Sequence, residues 1–180
     1  MNEAVPHPLA AWESFYVIVG TSGGALIGIQ FVVITLIASI RRRTNLDTVD
    51  AFATPTVVHF AAALVISAFM SAPWHSLAVP SLGLIACGFF GLVYGGLIIR
   101  RAFRQTEYKP VLEDWIWYQI APFVLYAAIM LGALFLPGGS EYSAFVIATA
   151  VLSLLLVGIH NAWDTVTHIV GMGTGDDKDI

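Results

Sequence analysis

Charged side chains are scarce in this sequence. Asp, Glu, Lys and Arg supply 11% of its 180 residues, against roughly 25% in a soluble domain. Hydrophobic residues supply 58%, and the mean hydropathy is +0.81. A water-soluble fold of this size leaves too much of its surface in contact with solvent to hide that apolar content. The solvent implied for most side chains is lipid.

Other absences narrow the field further. No basic surface is present that would bind nucleic acid. The single cysteine, Cys87, excludes an intrachain disulfide, and inside an apolar run it reads as a small buried hydrophobe. The glycines lie within apolar runs and no Gly-Lys-Ser/Thr follows them, so there is no phosphate-binding loop. No Ser or Cys nucleophile has a histidine at a recognisable spacing, no row of arginines suggests a voltage sensor, and no inverted repeat stands out. Met1 to Leu9 lack the basic segment of a cleavable signal peptide, so the first apolar run is expected to be kept as a helix.

What remains is a series of long apolar runs. A transmembrane helix needs about 20 mostly apolar residues, and five stretches qualify, at about 12–40, 55–73, 76–99, 111–136 and 142–170. The expected fold is an all-α integral membrane protein, one bundle of five helices over residues 1–171, with a flexible tail over 172–180. Short turns at Pro73 and Pro137-Gly138-Gly139 predict that the second and third spans, and the fourth and fifth, are antiparallel neighbours.

Lys and Arg near span ends set orientation by collecting on the cytoplasmic side. Arg41, Arg42, Arg43, Arg100, Arg101, Arg104, Lys109 and Lys178 are all eight basic residues, and five spans put every one of them on the same side. Glu3, Glu13, Glu141, His7 and His75 fall opposite. The N-terminus is therefore expected outside and the C-terminus inside, in a plasma or bacterial inner membrane. Thr54-Pro55 is a plausible helix start, as are Glu113 and Asp114 after Pro110. Trp115, Trp117 and Tyr118 fit one interfacial aromatic belt, and Trp12, Tyr16 and Trp74 the other. Pro80 and Pro122, inside spans, predict kinks.

Two glycine stripes are expected to pack helices closely. Gly20, Gly24 and Gly28 lie on the first helix, and Gly88, Gly91 and Gly95 on the third. They serve either packing within one chain or a homo-oligomer interface.

The polar residues gather near the cytoplasmic side. His160, Asp164 and His168 are spaced four apart and form a stripe on the fifth helix, with Asn161, Thr165 and Thr167 beside them. His59 is expected one turn into the second helix, where the helix start would disfavour its protonated form. Glu113 and Asp114 begin the fourth helix at the same depth. His160 and His168 are ~12 Å apart along the axis, too far to share one ion easily. A metal would instead use His160 with Asp164, or Asp164 with His168, together with His59, Glu113 or Asp114. Zn, Fe or Mn suits such mixed ligands. His59 and His75 fall on opposite sides of the membrane, which prevents joint ligation of one haem. Gln30 is expected near the midplane, packed against another helix or lining a path.

Three function classes follow. One is a small oligomeric channel or proton-linked transporter, with Gln30, His59, His160, Asp164 and His168 as its path or proton sites. The others are a membrane metalloenzyme using the His/Asp/Glu cluster, and a non-catalytic structural or regulatory subunit. Transport fits best, because glycine-striped helices and sparse intramembrane polar groups suit an oligomeric conduit. The certain partner is the lipid bilayer.

Overall fold

The computed structural model describes residues 9–40, 46–102 and 112–175; within these, side chains at 37–40, 46–53, 101–102, 114 and 168–175 lie outside the description. The described residues form helices and no strand. After a 3-10 turn (Ala10–Trp12) come α1 (Glu13–Ile40), α2 (Leu46–Ser71) and α3 (Ala78–Ala102). The fourth run is composite: α4 (Leu112–Trp115), a π turn (Ile116–Ile120) and α5 (Ala121–Phe135). A second 3-10 turn (Leu136–Gly138) leads to α6 (Glu141–Gly175).

Among the described residues, five helical stretches are long and apolar enough to cross a membrane: Ala10–Leu36, Thr54–Ser71, Ala78–Arg100, Ile116–Gly138 and Glu141–Thr167. They lie within a few residues of the stretches expected from the sequence. The helix boundaries differ more. α2 begins at Leu46, so Pro55 lies inside it and does not start it. Having no N–H, Pro55 leaves α2 one main-chain hydrogen bond short at that point. Pro80 sits in the first turn of α3, where a proline costs little and makes no kink. α6 continues to Gly175, into the stretch expected as tail, and residues 176–180 lie outside the described ones.

The helices stand in a file, α1–α2–α6–α5–α3, with α6 in the middle. α5 and α6 are close neighbours, as their short connection predicts. The turn between them needs Gly139, whose φ of 71° is left-handed and whose N–H donates to Leu136 O at 3.0 Å. α2 and α3 are also joined by a short connection but meet only lightly, because α3 packs on α5 instead. The core runs along the file through Val19, Phe60, Ile66, Val151, Leu154 and Ile129, all buried. Large apolar side chains such as Ile18, Phe31, Leu82, Phe90 and Phe135 are exposed around the outside, the inverse of a soluble bundle and the surface that lipid would solvate.

Glycines set the close approaches. A Cβ on Gly20 would lie 2.9 Å from Ser67 Cβ, and one on Gly23 3.1 Å from Phe60 O, which fixes α1 antiparallel to α2. A Cβ on Gly88 would meet Met130 Cβ at 2.7 Å, one on Gly91 would fall within the Tyr126 ring, and one on Gly95 would touch Phe123 at 3.4 Å. The α3 stripe is thus seated on α5. The α1 stripe is only partly used, since Gly24 and Gly28 have nothing within 4 Å.

Candidate functional site

The alternating directions of the helices bring the N-terminal half of α2, the start of the fourth run and the C-terminal half of α6 to the end of the bundle that carries Arg100. Polar side chains are buried there: Gln30, Thr56, His59, Asn161 and Thr165. Burial of a polar group in an apolar bundle is expensive unless it is hydrogen-bonded, so each partner matters.

His59 is buried, and its Nδ1 lies 3.0 Å from the hydroxyl of Tyr126 on α5. This bond reaches from the α1–α2 pair to the α3–α5 pair, past the central α6. The rings are 5.8 Å apart and tilted by 47°, an approach that serves the hydrogen bond and not stacking. Tyr126 is held in turn by α3, with its ring lying against Gly91. The second imidazole nitrogen, Nε2, is buried and has no hydrogen-bond partner among the described residues. Whichever tautomer the ring adopts, either a donor or an acceptor on that nitrogen is left over. His59 lies more than three turns beyond the start of α2, so the helix-start argument made from the sequence does not apply to it; its environment comes from burial.

Closer to the Arg100 end, the π turn organises a second group of side chains. In this turn the Ala121 N–H donates to Ile116 O, five residues back, and so passes over Trp117 O. The next residue is Pro122, which has no N–H. Trp117 O is therefore left without the usual main-chain donors, and Asn161 of α6 fills the gap: its Nδ2 donates to Trp117 O at 3.4 Å. Asn161 is fully buried. The disturbance expected at Pro122 takes the form of one extra residue in the preceding turn, a feature often found at functional sites.

The same turn presents Trp117 and Tyr118 to α6. The Trp117 and His160 rings stack at 4.0 Å with 14° between their planes. The Tyr118 hydroxyl donates to Asp164 Oδ2 at 2.9 Å and lies 3.3 Å from Asn161 O. His160 Nδ1 lies 3.4 Å from Asn161 Oδ1, and Thr165 Oγ1 donates to Asn161 O at 2.7 Å. His160 and Asp164, read as a pair from their spacing, are thus engaged by separate aromatic residues of the π turn.

The remaining expected residues are scattered. Gln30 is buried on α1, but it lies six residues from the Leu36 end of its span, ~9 Å along the helix; that is nearer the end than the middle. Glu113 is exposed at the start of α4. The side chains of Asp114 and His168 lie outside the described ones, as does the Arg41–Arg43 segment. Among the described residues no three His, Cys, Asp or Glu side chains converge to hold a metal ion.

Two further buried polar atoms lie towards the other end of the bundle. Tyr16 Oη and Ser67 Oγ have no hydrogen-bond partner among the described residues. Sequence reading missed these two, and it also missed Tyr126, Tyr118 and Trp117 as parts of a site. A tyrosine in an apolar run reads as packing or belt, and only the packing reveals which hydroxyl meets which partner. The chain matches no protein-family profile, and no curated protein or solved structure is significantly similar to it.

Proposed function

We propose that this chain is a small multi-pass membrane protein that moves protons, as a channel or a proton-linked transporter, with His59 as the central proton site. Its Lys and Arg residues put the N-terminus outside and the Arg100 end in the cytoplasm, by the bias of basic residues toward the inner side. The polar groups of α2, α5 and α6 then lie toward the inner leaflet.

The observation that carries this reading is the buried His59–Tyr126 pair with one imidazole nitrogen left over. An ionisable group inside a membrane bundle is costly, and such groups characteristically serve transport paths. Packing alone would be met more cheaply by an apolar residue. Neutral imidazole can take a proton on one nitrogen and release the proton held on the other. One proton enters, one leaves, and the ring is neutral again as the opposite tautomer. Carried inward, a proton leaves Nδ1 for the Tyr126 oxygen as the Tyr126 hydroxyl proton passes to water on its cytoplasmic side; carried outward, both transfers reverse. Between this pair and the cytoplasm lies the Tyr118–Asp164–Asn161 group, in which Asp164 is exposed and accepts a hydrogen bond from the Tyr118 hydroxyl.

Reconstitution tests this directly. Vesicles holding the protein and an internal pH-sensitive dye should dissipate an imposed pH gradient faster than protein-free vesicles. His59→Asn, checked for monodispersity, should return the rate to the protein-free level. Equal rates with and without the wild-type protein would overturn the reading, and a stoichiometric transition metal in the purified protein would favour a metalloenzyme in its place.

A further inference from the structure

A proton route needs more than one site, and the described structure has three buried side-chain atoms without partners on the neighbouring helices α1 and α2. They are His59 Nε2, Ser67 Oγ and Tyr16 Oη. A fourth such atom, Gln119 Oε1, belongs to the π turn. His59, Ala63 and Ser67 occupy one i, i+4 row of α2, and neighbours on such a row lie on nearly the same face. The row carries only the methyl of Ala63 between its two polar ends. At its far end Ser67 meets α1, where a Cβ on Gly20 would lie 2.9 Å from Ser67 Cβ and 3.6 Å from Ser67 Oγ. Tyr16 is one turn beyond Gly20 on that face, and its side chain is fully buried. Along the axis, His59 to Ser67 is ~12 Å and Gly20 to Tyr16 another ~6 Å. Together these cover more than half of a hydrocarbon core about 30 Å thick.

Ser67 stands out among the hydroxyls of these helices. Thr35, Thr165 and Thr167 each donate to the main-chain oxygen four residues back, the usual way for a helical hydroxyl to satisfy itself in an apolar setting. Ser67 does not, although the geometry of α2 offers it the same bond. The Tyr16 ring packs against those of Trp12 and Phe15, and its hydroxyl has no partner among the described residues. Buried polar groups without protein partners are uncommon and each calls for a cause; ordered water is the usual one.

We propose that Tyr16, Ser67 and His59 mark a hydrated seam beside α2, and that water along it forms the outer half of the proton route. The seam rests on the proton-transport reading above for its purpose, while its hydration can be measured separately. A proton arriving at the Tyr16 end passes along hydrogen-bonded water and the Ser67 hydroxyl to the His59 imidazole, each group giving up one proton as it accepts another.

The test combines accessibility with flux, in a Cys87→Ala background and in vesicles. Ser67→Cys is treated with Ag+, and the thiol left unreacted is counted by maleimide labelling after denaturation. The expected result is protection of Ser67→Cys by Ag+ and none for Val65→Cys, which is exposed on the apolar outside of α2. Ala63→Cys, one step along the row, gives the same readout should Ser67→Cys fail to fold. In the gradient assay, Ser67→Ala and Tyr16→Phe should lose most of the wild-type flux. Reactivity of the row without wild-type flux overturns the conduction reading and keeps the hydrated seam. Flux in the wild type with the row as inert as Val65→Cys overturns the seam and keeps conduction.

Discussion

The side-chain amide of Asn161 donates to the main-chain oxygen of Trp117, taking the place of a main-chain N–H that Pro122 cannot supply. One polar side chain on the central helix thereby holds an irregular turn of its neighbour, and that turn aims Trp117 at His160 and Tyr118 at Asp164.

This substitution of one donor for another predicts a specific non-additivity. Asn161→Leu keeps the branching of the side chain but leaves Trp117 O unpaired, at a cost of about 1–3 kcal/mol. Pro122→Ala restores the N–H and lets the turn become an ordinary helix. In that background Asn161→Leu should cost within about 0.5 kcal/mol of nothing. Unfolding in detergent of the four proteins in the cycle measures the coupling; strictly additive effects would show that Asn161 does not stand in for the missing N–H.

The His59–Tyr126 bond separates stability from function. Tyr126→Phe keeps the ring and strands a buried imidazole nitrogen, so it should destabilise by about 1–3 kcal/mol. Adding His59→Leu removes the other partner, and loss of both can be nearly neutral. The double variant should therefore regain most of the lost stability while carrying no proton flux. Recovery of flux together with stability would count against His59 as a proton site.

Glycine positions that look alike in the sequence should respond differently. Gly91→Ala would put a methyl into the Tyr126 ring, an overpacking worth about 1–3 kcal/mol, and it should also disturb the bond to His59. Gly24→Ala and Gly28→Ala meet nothing within 4 Å. In a single chain they should gain up to about 1 kcal/mol from helix propensity. Thermal melts in detergent rank the three, and a destabilising Gly24→Ala would reveal a contact made by a second copy.

Orientation is testable by labelling intact cells with a membrane-impermeant maleimide in the Cys87→Ala background. Cysteine at Gly138, in the exposed turn before α6, should label from outside. Cysteines replacing Arg42 and Arg101 should both stay silent until the membrane is opened. Labelling of Arg42→Cys and Arg101→Cys from opposite sides would remove the shared inner-leaflet level of α2, α5 and α6.

The apolar runs were legible because lipid imposes a length and a composition that few other environments share. Helix order and alternating direction put His59, His160, Asn161 and Asp164 toward the Arg100 end of the bundle. The direction of each side chain was not legible. A spacing of four places His160 and Asp164 on one face, yet it cannot tell that Trp117 covers one and Tyr118 the other. Pro122 was visible as a disturbance, but its form as an extra residue depends on Asn161, thirty-nine positions away. The start of α2 was misplaced because the helix extends past its apolar span, where hydropathy stops reporting on backbone shape.

α6 stands in the middle of the file and comes after every helix it touches. A ribosome therefore delivers α1 with α2, and later α3 with α5, as two pairs without the keystone between them. During that interval Trp117 O has no amide from Asn161 and Tyr118 no carboxylate. The polar groups that α6 satisfies on its neighbour thus stay unmet until α6 arrives, so its docking completes both halves of the file.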